Sequence, residues 1–252
     1  GEIDTFAKER GLLCLDTLTY WDVVKRAFTG NWLLPGWNAD GTLWQLYQRI
    51  RTPKRWELRP TPTLHHQLHG IPLYDKKKPV VYLHESWGNA LAFWEMLKRA
   101  KKDGENLVLT GAEMASLYHD ASVLSVANCG AVGEPLTKFM SLFADKIVVL
   151  MFDSDHPRKH DDRVTDGAGF LASRRAAQIL ANAENPPKEI QWLKWGENGY
   201  DENLQSGYDV RDFLAQGGSV QDRLPILGRL LGKVAPIPAD WIGGRTKAVA
   251  RS

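Results

Sequence analysis

The rhythm of apolar and polar positions changes at Pro79. Downstream, short unbroken apolar runs alternate with stretches whose apolar residues recur at helical spacing. Val80-Val-Tyr-Leu83 and Lys146-Ile-Val-Val-Leu-Met-Phe-Asp153 each predict a buried strand, because a strand covered on both faces needs no polar alternation, and Ser122–Ala127 and Glu189–Leu193 predict two further strands. Between them, Trp87 to about Lys102 carries Ala90, Leu91, Phe93, Trp94 and Leu97 on one helical face. Leu136–Phe143, Gly169–Ala183 and a short segment within Gly207–Leu214 predict further helices. Strand–helix alternation of this kind predicts an α/β fold with a mostly parallel sheet flanked by helices.

Upstream the pattern is mixed. Tyr20–Phe28 predicts a short helix ended by Thr29-Gly30-Asn31. Asn38-Ala-Asp40-Gly41 is a hairpin-turn signal, with Thr42–Ile50 as the return strand. Beyond Gln221 an apolar segment, Leu224–Leu231, gives way to Pro- and Gly-rich sequence that reads as a linker or poorly ordered end. The chain therefore divides into a smaller mixed α+β subdomain at 1–78, the α/β domain at 79–220, and a C-terminal helix and tail at 221–252.

Composition narrows the class. At 252 residues, 43% hydrophobic and 25% charged, the chain suits a globular protein rather than a disordered one. Net charge is only +2, so any nucleic-acid contact must come from local clustering. One cluster exists: Arg49, Arg51, Lys54, Arg55 and Arg59 fall close together, with Glu57 the only acid among them. Such a patch contacts phosphates or keeps an edge strand soluble. His65, His66 and His69 have ligand-like spacing, but no cysteine or nearby carboxylate completes a zinc site. Trp21, Trp32, Trp37 and Trp44 read as packing residues before base-stacking platforms. Two distant cysteines, Cys14 and Cys129, predict a reducing compartment. No apolar run approaches the ~20 residues of a membrane span and no signal peptide is visible. A start at Gly1 instead of Met predicts a piece of a longer protein.

Candidate chemistry gathers at strand ends. Asp153 and Asp155 close the strand that begins at Lys146, Glu85 follows the strand at Val80, and Asp209 and Asp212 open a later helix. In a parallel sheet these fall at one edge, where ligands bind. Carboxylates so placed repel one another unless a cation lies between them, and hard oxygen ligands favour Mg²⁺ or Mn²⁺. A solvated turn is the alternative for Asp-x-Asp alone. A metal site with a spare carboxylate for proton transfer is what nucleotidyl transfer requires. Asn128-Cys-Gly130-Ala-Val-Gly133 adds a glycine-rich strand-to-helix turn whose N–H groups suit phosphate oxygens.

A Glu after a buried strand, a helix opening on Asn89-Ala-Leu-Ala92, a Gly-rich turn and then Asp-x-Asp resemble the Toprim domain. Among Toprim proteins the chain looks most like the primases of bacteria, phages and plasmids, including primase–helicases. Tyr208–Leu214 resembles the late acidic segment of that family. Asp40-Gly41, Tyr47–Ile50, Lys54-Arg55 and His69–Tyr74 resemble the basic subdomain that precedes Toprim. The resemblance implies a Toprim-type sheet and a primase that makes short RNA primers on single-stranded DNA from ribonucleoside triphosphates. It implies Mg²⁺ (or Mn²⁺) held by Asp153 and Asp155, Glu85 as ligand or general acid/base, and Asp209 completing the acidic edge. Arg49, Arg51, Lys54 and Arg55, with Asn128 and Gly130, would hold template or triphosphate. It further implies a cytoplasmic protein partnered by a replicative helicase, in cis or in trans. A Toprim nuclease or topoisomerase-like enzyme, and a degenerate Toprim nucleic-acid-binding module, are the alternatives. Three departures stand out: Asn89 where an acid is common, Arg211 where another is, and a charged insertion from His156 to Asp166 directly behind Asp-x-Asp.

Overall fold

A computed structural model gives the fold. It describes residues 8, 11–13, 18, 20–21, 24–25, 32–51, 56–61, 68–103, 121–160 and 163–242. The N-terminal part is an antiparallel sheet of β1 (Val24–Lys25), β2 (Trp32–Trp37), β3 (Leu43–Arg51) and β4 (Trp56–Thr61), in that order. The β2–β3 turn forms where the sequence signals it. Gly41 adopts the left-handed φ of 82°, and the Asp40 carboxylate accepts from both the backbone and the hydroxyl of Thr42. The helix expected over Tyr20–Phe28 is not continuous. Val24 and Lys25 pair with Leu33 and Trp32, so a sheet partner and a β-branched residue override the local helical spacing.

Then follow β5 (Val80–His84), α1 (Trp87–Asp103), β6 (Ala121–Ser125), α2 (Gly133–Lys138), β7 (Ile147–Met151), the hairpin β8 (Arg158–His160) and β9 (Arg163–Thr165), α3 (Ala168–Ala181), β10 (Glu189–Leu193), α4 (Val210–Leu214), α5 (Val220–Leu231) and β11 (Val234–Pro236). Five of these strands form one sheet in the order β11-β10-β7-β5-β6. All pairs are parallel except β10–β11. This is the flanked, mostly parallel sheet that the alternating pattern predicts. Val80 and Tyr82 face a core shared with α1, α4 and α5; Val81 and Leu83 face a second core under α2 and α3. Val80–Leu83 of β5 and Ile147–Met151 of β7 are thus apolar at consecutive positions because both faces are covered by protein. The helix expected over Leu136–Phe143 is split, with α2 ending at Lys138 and a 3-10 turn at Met140–Leu142.

His69 joins the two sheets. Its backbone exchanges hydrogen bonds with Ser125 at 2.9 and 3.2 Å, its Nδ1 lies 3.3 Å from the Pro35 carbonyl, and its ring meets Tyr47 edge-on. Its place is in the core, while His65 and His66 lie outside the described residues. Tyr47 and Leu34 also belong to the core of the larger sheet.

The tail is not a linker as far as Ile242. Leu224, Ile226, Leu227, Leu230 and Leu231 of α5 are buried, and β11 extends the sheet antiparallel to β10. Trp241, 2% exposed, packs against Phe170 and Trp192 with ring centroids 5.2 and 4.7 Å away. Pro and Gly composition hid this because a short edge strand accepts Pro. Trp241→Ala should cost about 3–5 kcal/mol of stability, read as a lower denaturant midpoint; an unchanged midpoint would return this segment to the linker reading.

Candidate active site

Parallel pairing sets the geometry. Leu83 is opposite Leu150 and His84 opposite Met151, so the chains leave β5 and β7 side by side and at the same edge. Glu85 follows β5 directly and is 8% exposed. Its Oε2 accepts the Asp153 N–H at 3.2 Å. Asn89, in the first turn of α1 and 1% exposed, donates its Nδ2 to Asp153 Oδ1 at 2.9 Å. Asp155 Oδ2 accepts the Gly169 N–H at 2.8 Å. Between the two aspartates Ser154 is fully buried. It pairs with Tyr208 through Ser154 N–H to Tyr208 O, 2.8 Å, and Gly207 N–H to Ser154 O, 2.9 Å. The Ser154 hydroxyl also accepts the Asp201 N–H. The alternation of an extended chain thus anchors the middle residue and leaves the flanking carboxylates on the other side.

Behind them the chain must pass very close. A Cβ on Gly167 would stand 1.9 Å from the Asp155 carbonyl oxygen, and one on Gly169 2.2 Å from that of Asp153. Only glycine permits α3 to start against the carboxylate segment. The insertion His156–Asp166 is a two-stranded excursion, β8 and β9, after which the chain returns to these glycines. His156 fixes its near end: its N–H donates to Ser206 Oγ, and its ring packs on Tyr200. The Gly-x-Gly ahead of a helix was the available signal for this contact, and the intervening hairpin displaced it in sequence.

Asp209 reaches the same edge differently. It is the N-cap of α4, its Oδ1 accepting the Asp212 N–H at 2.8 Å while Asp212 Oδ2 takes the Asp209 N–H, a reciprocal capping box. Arg211 Nη2 lies 2.9 Å from Asp209 Oδ2 and 3.7 Å from Asp212 Oδ1. The departure at Arg211 therefore places a cation on the acidic edge.

These carboxyls perturb one another. Burial, then the charges of Asp155 and Asp209, push Glu85 up to about 7, against hydrogen bonds from the Asp153 N–H and the Cys129 thiol. Asp153 is raised well above the usual carboxylate range by burial and by Glu85, Asp209 and Asp155. Asp209 rises to about 6, mainly by burial, with Arg211 opposing. Burial and the neighbouring Glu85 charge carry the Cys129 thiol to about 11. Cys129 is thus a neutral donor to the site, a role its sequence position did not suggest.

The donor set suits a hard divalent cation: carboxylate oxygens whose charges oppose one another, with the buried Asn89 Oδ1 having no hydrogen-bond partner. Among the described residues no three His, Cys, Asp or Glu side chains form a ready-made cage. Mg²⁺ characteristically takes one or two carboxylates and completes its shell with water and substrate phosphates.

Arg49 and Arg51 lie on the central strand β3, opposite Leu58 and Trp56 of β4; Lys54 and Arg55 fall outside the described residues. Asn128 turns its side chain back to accept the Ala131 N–H, capping the 3-10 turn Cys129–Ala131 in which Gly130 is exposed.

Sheet order, flanking helices and the carboxylate edge together define a Toprim-type primase-core fold. Solved structures share it. The primase fragment of the bacteriophage T7 primase–helicase superposes with a TM-score of 0.52 at 14% identity, covering 89% of this chain and 72% of that one. The DnaG catalytic core gives 0.51 at 12% identity, with 92% and 73% covered. The DnaG catalytic domain bound to single-stranded DNA gives 0.50 at 10%, with 92% and 71% covered. No family model and no curated protein sequence matches the chain.

The raised carboxyls set a pH dependence. Glu85 at about 7 keeps in the folded state a proton that the unfolded chain releases near its ordinary 4.5. Folding therefore binds protons between these values, and stability is fully present below 4.5 and lost as pH rises through 7. Urea unfolding in chelator should show lower stability at about pH 8 than at about pH 5, with Glu85→Gln flattening the difference. A metal-free protein more stable at the higher pH would contradict the cluster.

Proposed function

We propose that this chain is a primase catalytic core, joining ribonucleotides into short RNA primers on single-stranded DNA. The observation that carries the reading is the gathering of Glu85, Asp153, Asp155 and Asp209 at one edge of a Toprim-type sheet, where they raise one another's affinity for protons. Asp153 and Asp155 would hold Mg²⁺ or Mn²⁺, with Asp209 beside them. Bound there, the cation would neutralise charge on phosphoryl oxygens.

The chain's own groups do the rest. Asn89 holds Asp153 by its amide. Gly169 holds Asp155 by its N–H. Glu85, poised near neutrality, is suited to accept the proton of the primer's 3′-hydroxyl as that oxygen attacks the α-phosphate and pyrophosphate leaves. Arg49, Arg51, Lys54 and Arg55 supply cations for template or triphosphate, with Asn128 and Gly130 at the neighbouring turn. A replicative helicase, in cis or in trans, is the expected partner.

Asn89, neutral where the resembled primases commonly carry an acid, favours one second reading: a nucleic-acid-binding module without catalysis. Incubation with single-stranded DNA, ribonucleoside triphosphates and Mg²⁺ decides between them. Labelled short RNA supports the primase; cleaved DNA indicates a nuclease; binding without products leaves the module. Asp153→Ala with Asp155→Ala, or chelation of the metal, should reduce synthesis to background while folding is kept. Full synthesis in the double variant would overturn the assignment. Neutralising Arg51, Lys54 and Arg55 should lower the salt-dependence slope of single-stranded DNA binding by about 2; an unchanged slope would make that patch a solvated surface.

A further inference from the structure

Arg211 occupies the Asp209 corner of the acidic edge in a way that decides what else can sit there. We propose that its guanidinium takes the place of a second metal ion, so that the edge binds one divalent cation, at Asp153 and Asp155, and that the N-terminal segment Gly11–Leu13 holds Arg211 in that position. The inference rests on the metal-dependent reading above and deepens it by fixing the number of cations and naming the residue that sets it.

The carboxylate oxygens are the first support. Asp209 Oδ1 accepts the Asp212 N–H at 2.8 Å, and Oδ2 accepts from Arg211 Nη2 at 2.9 Å. Both are therefore occupied, one by the helix cap and one by a cation. Asp212 offers no substitute, with Oδ2 in the same cap and Oδ1 3.7 Å from Arg211. Asp153 and Asp155 differ. One oxygen of each takes a donor, from Asn89 and from the Gly169 N–H, and the other takes none among the described residues. Two-metal sites place a second positive charge about 4 Å from the first. Here a guanidinium supplies positive charge at the neighbouring carboxylate, and a further cation beside it would meet like charge and a carboxylate already paired.

What holds Arg211 is the second. An exposed ion pair is worth little, because ordering a long side chain offsets the attraction. This pair is largely withdrawn from water, with the Arg211 side chain 23% and that of Asp209 9% exposed, and the Arg211 stem lies under the N-terminal segment. Gly11, at a left-handed φ of 69°, sits so close that a Cβ on it would stand 2.8 Å from Arg211 Cγ. Two buried charges on different helices fix that segment in turn. Arg223 of α5 donates Nη1 to the Gly11 carbonyl and Nε to the Gly217 carbonyl. Glu95 of α1 accepts the Leu13 N–H at 2.7 Å, and Leu12 between them is part of the core. Contact therefore runs unbroken from α1 and α5 through Gly11 and Arg211 to Asp209.

Titration of the whole chain with Mn²⁺, followed by the paramagnetic resonance signal of the free ion, counts bound cations without turnover. Wild type should bind one Mn²⁺ per chain, lost in Asp153→Ala with Asp155→Ala. Arg211→Lys keeps the charge and should still bind one. Arg211→Gln frees Asp209 Oδ2 and should bind a second. Gly11→Ala pushes the Arg211 stem aside and should also gain the second ion, with circular dichroism showing that each variant is folded. Two Mn²⁺ on wild type, or only one on folded Arg211→Gln, would overturn the role of Arg211. A wild-type count in folded Gly11→Ala, beside a second ion in Arg211→Gln, would remove the N-terminal segment from that role. Wild type that binds no Mn²⁺ would instead sink the metal-dependent reading, and this inference with it.

Discussion

Four carboxylates stand at one edge of the sheet, and their repulsion must be opposed for the edge to exist at all. Each is given a donor by a different part of the chain: Glu85 by the Asp153 N–H, Asp153 by the Asn89 amide, Asp155 by the Gly169 N–H, and Asp209 by the Asp212 N–H and Arg211. The start of α1, the exit of β7, the start of α3 and the start of α4 are thereby tied to one another. The close glycine contacts behind Asp-x-Asp and the buried Ser154–Tyr208 pairing follow from the same need. Backbone packing holds the charges together, and the cost of that arrangement is written in their raised proton affinities.

The two polar departures from the resembled primases act on this balance in the same direction. Asn89 contributes no charge and donates where a carboxylate could only repel Asp153. Arg211 adds a positive charge beside Asp209 and lowers the proton affinity of both Asp209 and Asp153. The edge is therefore less electronegative than one with acids at both positions, and its attraction for a cation is correspondingly smaller.

The central strands β5 and β7 were legible because each is doubly covered and reads as an apolar run, and Glu85, Asp153 and Asp155 because they follow those runs closely. What escaped was set by distant partners. Val24 and Lys25 look helical until β2 is placed beside them. The strand after α5 contains Pro236 and carries no apolar periodicity of its own, yet β10 needs a neighbour. Within the site, residue types were readable but bonds were not. Nothing local says that Asn89 reaches a residue 64 positions away, that the Cys129 thiol supports Glu85, or that Asp209 spends one oxygen on a helix cap. The basic patch was visible as composition, and only Arg49 and Arg51 of its site candidates fall on described backbone.

The hairpin β8–β9 leaves the chain at His156 and rejoins it at Gly167, and both ends abut Asp155. The excursion is therefore a closed detour: its entry and exit are pinned to the same residue, so its contour length is decoupled from the spacing between the carboxylates and α3. Such a junction is a natural splice point. Lineages of this fold could lengthen, shorten or replace the detour, and so change what the protein touches beside its acidic edge, without moving the atoms of the edge itself.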